Sequence, residues 1–367
     1  MTSAFIESPS YEDQRQRFLK AVAEAGGQHF EYPHPLKGPR GEALATDVAV
    51  LGDRNAPNRL VAISGTHGIE GYYGSECQIR LLHDLRGRDL PKDVSVVLVH
   101  LVNPWGTAWM RRVNEDNVDV NRNYVNFDRP LPSNAAYETL HEIYLAKDLD
   151  GPGRRAADEL FATHERNLGH TPMMNIVEAG QYVHSDGLFF GGKTATWTNR
   201  TVRKIMAEHV AGARTAMSFD LHTGAGPFGY PLLMTIAERS YPAHAMAQSV
   251  YGPWLRTIIT ATDATSDTGI AATATGYTSQ ALLDQLHDVN LMQFVIECGT
   301  YDGHVGHAIL RDDHWLHLRG DPFDATGRKI KTAILEQFYP ADADWRELTG
   351  LRTQQVWKHA LEKLAQM

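Results

Sequence analysis

The chain has 367 residues, of which 43% are hydrophobic and 22% charged, and its formal net charge is −9. This composition supplies material for a large core, and the negative charge argues against nucleic acid or an anionic membrane as the main partner. Cys77 and Cys298 are too few for a disulfide framework or a cysteine-based zinc site. No run has the length of a transmembrane helix, and residues 1–7 lack the basic and apolar segments of a signal peptide. We therefore expect a cytoplasmic protein without a membrane partner.

The elements, taken in chain order, predict an α/β protein. Apolar residues at helical spacing predict helices over 10–25, 75–85, 135–145, 156–168, 198–210, 244–255 and 345–364. Apolar runs that end at small or polar residues predict strands over 45–52, 60–63, 94–102, 215–221, 231–236 and 291–296. Strand, loop, helix and strand in succession are typical of a parallel or mixed sheet flanked by helices. No disordered linker divides the chain, so we predict one domain over 1–367, with a helical C-terminal extension at 324–366.

A candidate metal site follows the strand at 60–63. His67 and Glu70 lie three positions apart there, enclosed by Gly68 and Gly71. Functional loops sit at strand ends in α/β sheets, and an imidazole with a carboxylate suits a divalent metal. A surface turn with two polar residues is the alternative for this stretch alone.

His222 is the candidate third ligand. It follows the strand at 215–221 and precedes Gly224, and Asp220, two residues earlier, is placed to support it. Two histidines and one carboxylate around an open fourth position are the ligands of a catalytic zinc site. A histidine with only a structural role at a strand end is the alternative.

Glu297 is the candidate general base. It follows the apolar run at 291–296, where a carboxylate is costly to bury without a partner. Near a metal it would take a proton from water and pass it to a leaving amine. A structural carboxylate at a sheet edge is the alternative.

The polar loop at 111–123 supplies positive charge. Arg122, flanked by Asn121 and Asn123, matches a substrate carboxylate in a bidentate way. Arg112 is placed to face a developing oxyanion. The alternative is a surface loop whose arginines pair with Glu115, Asp116 and Asp119.

Other motifs are weaker. Residues 187–194 satisfy the phosphate-loop pattern, but two phenylalanines fill the loop and the residues before it are polar. His141-Glu142 and His164-Glu165 lack the second histidine of the H-E-x-x-H zinc motif. The chain has no G-x-S-x-G elbow, which lowers the case for a serine hydrolase.

Together, His67-Gly68-Ile69-Glu70, Val118 to Asn123, His222 after a strand and Glu297 on a late strand resemble the zinc carboxypeptidase family (M14). The succinylglutamate desuccinylase and aspartoacylase branch shares much of this pattern, and the chain looks most like the uncharacterised bacterial DUF2817 group. The resemblance covers roughly residues 45–320. It implies a three-layer α/β/α domain with a mixed, mostly parallel sheet of about eight strands.

The resemblance also implies roles for individual residues. His67, Glu70 and His222 would bind one zinc ion, and Glu297 would act as base and then as acid. Asn121 and Arg122 would hold the substrate's terminal carboxylate. Arg112 would polarise the scissile carbonyl, although Arg111 is adjacent. Tyr277 matches the family's active-site tyrosine, with Tyr230, Tyr241 and Tyr251 left open.

We therefore expect a zinc-dependent metallohydrolase that cleaves an amide bond next to a free carboxylate. A carboxypeptidase acting on peptides is the first choice, and an N-acyl amino acid deacylase is the alternative. From other classes, a catalytically silent zinc-binding protein and a nucleotide-binding protein remain. The terminal helix at 342–366 would cover either the core or a second subunit of a homo-oligomer.

Overall fold

The computed structural model describes residues 9–260 and 274–367, and eight strands there form one mixed sheet. The strands are β1 (Gln28–Lys37), β2 (Ala43–Leu51), β3 (Asn58–Ser64), β4 (Val94–His100), β5 (Thr215–Gly224), β6 (Pro231–Ala237), β7 (Leu255–Ile259) and β8 (Asn290–Gly299). Their order is β1-β2-β4-β3-β5-β8-β6-β7. β4, β3, β5 and β8 run parallel, as do β6 and β7. β1 with β2, β2 with β4, and β6 with β8 are antiparallel.

Helices cover both faces of the sheet. They are α1 (Tyr11–Glu24), α2 (Gly71–Leu85), α3 (Pro104–Ala108), α4 (Glu138–Tyr144), α5 (Pro152–Leu168), α6 (His170–Glu178), α7 (Trp197–His209), α8 (His244–Tyr251), α9 (Thr278–Gln285), α10 (Gly303–Arg319), α11 (Ala325–Phe338) and α12 (Ala343–Leu364). Alternate residues of β3 divide between two cores, as the two-residue period of a strand requires. Leu60 joins the core under α1, α2 and α12, and Val61 joins the core under α7 and α9. The predicted α/β/α fold with a mixed eight-stranded sheet is confirmed.

The parallel centre of the sheet brings three strand ends together. β3 pairs with β5, and β5 pairs with β8 in a register that sets His222 opposite Glu297. His67 follows β3 by three residues. Because the carboxyl ends of parallel strands meet at one edge, functional side chains from distant parts of the sequence collect there.

The sequence analysis missed two strands, both at the edges of the sheet. β1 is mostly exposed and contains two prolines, so it lacks the apolar pattern of a buried strand. The helix predicted to reach residue 255 ends at Tyr251, because Gly252 takes a positive φ of 55°. The chain then pairs as β7 with β6, and Ile258 is buried there. Helices α3, α6 and α9 were also not predicted, and Glu297 lies within β8, two residues before the end of the strand.

The terminal helix α12 packs on the core of its own chain. Trp345, Trp357 and Leu364 have no exposed surface, and Nε1 of Trp345 donates to the carbonyl of Gly299 at 2.8 Å. Of the two alternatives for this helix, the structure shows the first. No helix in the described ranges is long and apolar enough to span a bilayer.

The turn that carries His67 depends on a close backbone contact at Gly68. A Cβ at Gly68 would lie 2.1 Å from the carbonyl carbon of Gly106 and 2.4 Å from the amide nitrogen of Thr107. The Gly68 amide also donates to the carbonyl of Arg112 at 3.0 Å. We expect Gly68→Ala to lower the free energy of unfolding by about 1–3 kcal/mol through overpacking, measured by urea denaturation.

Gly212→Ala is the matched control, because its Cβ would meet only the Nη2 atom of Arg59, at 3.6 Å. Equal stability of the two variants would show that the contact at Gly68 does not constrain the turn.

Candidate active site

Three buried side chains converge at the ends of β3 and β5. Nδ1 of His67 lies 2.8 Å from Oε1 of Glu70, and Nδ1 of His222 lies 3.0 Å from Oε2 of Glu70. The two Nδ1 atoms are 3.2 Å apart. Four ligands about 2.0–2.1 Å from a zinc ion in a tetrahedron lie about 3.3 Å from one another. The spacing and the two-nitrogen, one-oxygen donor set therefore fit a zinc ion.

A carboxylate lies close to Nε2 of each histidine. Oδ1 of Asp119 lies 3.3 Å from Nε2 of His67, and Oδ2 of Asp220 lies 3.1 Å from Nε2 of His222. The hydroxyl of Thr66 holds Asp220 in turn, donating to Oδ1 at 2.8 Å. Such carboxylates fix the tautomer and the ring orientation of metal-binding histidines. Each ring consequently directs Nδ1 to the centre of the cluster.

Glu70 is held in its charged form. Burial disfavours a carboxylate, but the neighbouring His67 and His222 outweigh it and hold the pKa of Glu70 below its usual range. The backbone amide of Thr223 also donates to Oε2 at 3.2 Å. Glu70 is therefore ionised, as an anionic metal ligand must be.

The two adjacent arginines have different surroundings. Arg112 lines the cavity next to the cluster. Its Nε donates to Asp119 at 3.1 Å and its Nη1 to Glu70 at 3.4 Å. Arg111 is turned away from the cavity, where its Nε donates to Asp313 at 3.0 Å and Lys331 pairs with the same carboxylate. Arg112, and not Arg111, can thus reach a substrate in this cavity.

Arg122 is fixed by backbone carbonyls. Its Nε and Nη2 donate to the carbonyl of Glu178 at 2.9 and 2.6 Å, and Nη1 donates to the carbonyl of Asn121 at 2.8 Å. The side-chain oxygen of Asn121 accepts from the amide of Thr278 at 3.0 Å. No acidic side chain of residues 9–260 or 274–367 lies within 4.0 Å of the Arg122 guanidinium. The charge of Arg122 is therefore open to an anionic ligand.

Tyr277 lies against Arg122. Its ring centroid is 4.7 Å from Cζ of Arg122, a cation–π contact, and Tyr277 lines the cavity. Of the other tyrosines considered, Tyr241 and Tyr251 belong to the core and Tyr230 is exposed. None of those three lines the cavity, so Tyr277 alone among the four can contact a bound ligand.

Glu297 faces the cavity from β8. The amide of Ala225 donates to its Oε1 at 3.0 Å. Burial, together with the nearby charge of Glu70, raises the pKa of Glu297 to about 7. A carboxyl group with this pKa both accepts and releases a proton near neutral pH.

One cavity of about 710 Å³ contains nearly all of the predicted residues. The residues brought together in it are His67, Glu70, Arg112, Asn121, Arg122, His222, Tyr277 and Glu297. The sequence analysis gave no role to Glu178, which also lines it, and considered Asp119 only as a partner for arginines. The available signal for Asp119 was its position in Val118-Asp119-Val120-Asn121-Arg122, three residues before the arginine.

The phosphate-loop hypothesis for residues 187–194 is wrong. Helix α6, rather than a buried strand, is the last regular element before this loop. Nζ of Lys193 donates to the carbonyl of Tyr182, and the amide of Gly191 donates to the carbonyl of Gln181 at 2.8 Å. The lysine and this amide are thus engaged within the protein. The loop instead places Phe189 in the cavity wall, where its ring centroid lies 5.1 Å from Cζ of Arg112.

Fold and site define the class of this protein as a mixed-sheet α/β protein with a candidate His-Glu-His metal centre at the strand ends. The chain belongs to the family described as "Protein of unknown function (DUF2817)", whose model matches residues 6–351. No curated protein sequence matches the chain.

Solved structures with low sequence identity are similar to this chain. Carboxypeptidase A from Helicoverpa armigera is 14% identical, and the match covers 98% of this chain and 75% of that one, with a TM-score of 0.46. A metallo-carboxypeptidase from Burkholderia cenocepacia is 14% identical, with 95% and 71% covered and a TM-score of 0.41. The succinylglutamate desuccinylase from Chromobacterium violaceum is 14% identical, with 92% and 76% covered and a TM-score of 0.38.

Asp119 lies next to Nε2 of His67 and is therefore expected to orient this histidine for metal binding. We expect Asp119→Ala to weaken zinc binding by about 10–100-fold, the usual effect of removing a carboxylate that orients a histidine ligand. Competition with a chromophoric chelator measures the dissociation constant. Asp116→Ala, an exposed change in the same loop, should bind zinc like the wild type. Unchanged zinc affinity in Asp119→Ala would remove Asp119 from the site.

Proposed function

We propose that this protein is a zinc-dependent metallohydrolase that cleaves an amide bond next to a free carboxylate, with peptides as first-choice substrates. The observation that carries the proposal is the joint presence, in one cavity, of a His-Glu-His cluster, a carboxyl group of raised pKa and an arginine open to an anion. His67, Glu70 and His222 would hold the zinc ion. When bound, zinc supplies a Lewis acid for carbonyl hydrolysis.

Arg122 and Asn121 bind the substrate's carboxylate in this proposal. A guanidinium has five N–H donors, and backbone carbonyls of the protein take three of those of Arg122. Two donors remain for a carboxylate, which favours a bidentate pair. The Tyr277 ring on one side and the carbonyl of Glu178 on the other fix the guanidinium, so little side-chain entropy is lost when substrate binds.

Glu297 transfers a proton from the attacking water to the leaving nitrogen in this proposal. Its raised pKa lets Oε2 accept a proton from the attacking water and return it to the leaving nitrogen, while the Ala225 amide holds Oε1. Positioned acid–base groups of this kind contribute about 10²–10⁴-fold in rate. Arg112, held by Asp119 and Glu70, supplies positive charge where a tetrahedral oxyanion would develop.

The first test separates metal binding from catalysis. We expect about one zinc per chain in the wild type by elemental analysis, and its loss in both His67→Ala and His222→Ala. His83→Ala, an exposed histidine on α2, is the control and should keep the metal. Glu297→Gln should keep the zinc and lose about 10²–10⁴-fold in kcat.

The outcomes of this test divide the alternatives. Zinc in the wild type without turnover of any peptide or N-acyl amino acid would favour a silent zinc-binding protein. Turnover of N-acyl amino acids but not of peptides would favour the deacylase. Absence of zinc after metal addition, or full activity in Glu297→Gln, would overturn the proposal.

A second test concerns the carboxylate. We expect Arg122→Lys to raise KM about tenfold, because an ammonium cannot reproduce the bidentate pair. Replacing the terminal carboxylate of the substrate by a carboxamide should lower kcat/KM in the wild type by more than it does in Arg122→Lys. Arg352→Lys, at an exposed position on α12, is the control. Equal effects of the carboxamide in wild type and Arg122→Lys would place the carboxylate elsewhere.

A further inference from the structure

A second charged side chain in the cavity has no partner among the residues that the structure describes. Glu178 is the last residue of α6, is partly buried and lines the cavity. Within the described part of the chain, its carboxylate makes no hydrogen bond and lies within 4.0 Å of no cationic side chain. The backbone carbonyl of the same residue, in contrast, accepts hydrogen bonds from the Arg122 side chain.

The location of this carboxylate is unfavourable for stability. The C-terminal end of a helix carries partial negative charge, which disfavours an acidic side chain in the last turn. Partial burial adds a desolvation cost and raises the pKa of Glu178, against the opposing influence of Arg112 and Arg122. A carboxyl group kept at such a position without a structural partner is a candidate for ligand recognition.

The charged neighbours of Glu178 are largely neutralised by other groups. Arg112 is paired with Asp119 and Glu70. His170, at the start of α6, lies 2.6 Å from Glu165. Arg122 is the remaining cation, and its charge would be offset by the carboxylate of a bound substrate. With substrate in place, Glu178 is left as the uncompensated charge in this part of the cavity.

We infer that Glu178 recognises a cationic group on the same substrate residue whose carboxylate binds Arg122, so that the protein prefers a basic leaving residue such as lysine or ornithine. The inference rests on the proposed function for the role of Arg122. The two residues are in direct contact, because the Arg122 guanidinium donates to the backbone carbonyl of Glu178. A ligand that reaches both therefore carries its negative and positive groups on one residue.

The experiment compares two peptides that differ only in their last residue, lysine in one and norleucine in the other. Norleucine keeps the aliphatic chain and lacks the ammonium. We expect the wild type to favour the lysine peptide in kcat/KM by about tenfold or more, the scale of one charge-assisted contact. Glu178→Gln should bring this ratio close to one, mainly through KM, and Glu178→Lys should bring it below one. Glu142→Gln, an exposed glutamate on α4, should keep the wild-type ratio.

A wild type that prefers norleucine, or a Glu178→Gln variant that keeps the lysine preference, would overturn the inference. If no peptide is cleaved, peptidase activity is excluded from the proposed function, and the inference is then decided by binding. Calorimetric titration of the intact protein with free lysine and with free norleucine should show tighter binding of lysine, and Glu178→Gln should lose that difference. Equal binding of the two amino acids to the wild type would refute the inference even where peptides are hydrolysed.

Discussion

The register between β3, β5 and β8 is the constraint on which the candidate site depends. Parallel pairing of β5 with β8 sets His222 directly opposite Glu297, and pairing of β3 with β5 brings the turn at His67 to the same edge. A slip of one residue in either pair would turn one of these side chains to the other face of the sheet. The apolar residues that alternate with them enforce the register, because Phe219 and Phe294 stack in the core with ring centroids 5.0 Å apart.

The charge balance at this edge is consistent with a bound cation. Four buried carboxylates, those of Glu70, Asp119, Asp220 and Glu297, lie around the cluster, and Arg112 is the arginine paired with two of them. Buried charges require compensation by partners or by a metal. Two histidines would compensate only when protonated, whereas a divalent ion supplies two positive charges and accepts their nitrogen lone pairs. A zinc ion would thus meet an electrostatic demand as well as a geometric one.

The sequence predicted the centre of the sheet and the cluster better than the cavity walls. His67, Glu70, His222 and Glu297 each follow or lie within an apolar strand, so local pattern and topology together place them at one edge. The sequence could not show whether Arg111 or Arg112 faces the cavity, because an irregular loop has no periodicity that fixes the direction of its side chains. Glu178 was missed for a different reason. It ends a short helix whose burial depends on the rest of the fold. That its carboxylate has no partner in residues 9–260 and 274–367 is visible only in three dimensions.

The proposed metal-binding and proton-transfer groups lie at strand ends, whereas the proposed substrate-binding groups lie outside the sheet. Proteins with this fold can therefore differ in substrate preference while keeping the same central site. The strand ends hold the groups proposed to bind metal and transfer protons, and their positions are tied to the core. Arg122, Glu178 and Phe189 belong to segments outside the sheet, and such connecting segments vary more among related proteins than the strands they join. The contact between the Arg122 side chain and the Glu178 backbone links two such segments. A change of the Glu178 side chain could therefore alter which leaving residue is accepted without displacing the arginine proposed to bind its carboxylate.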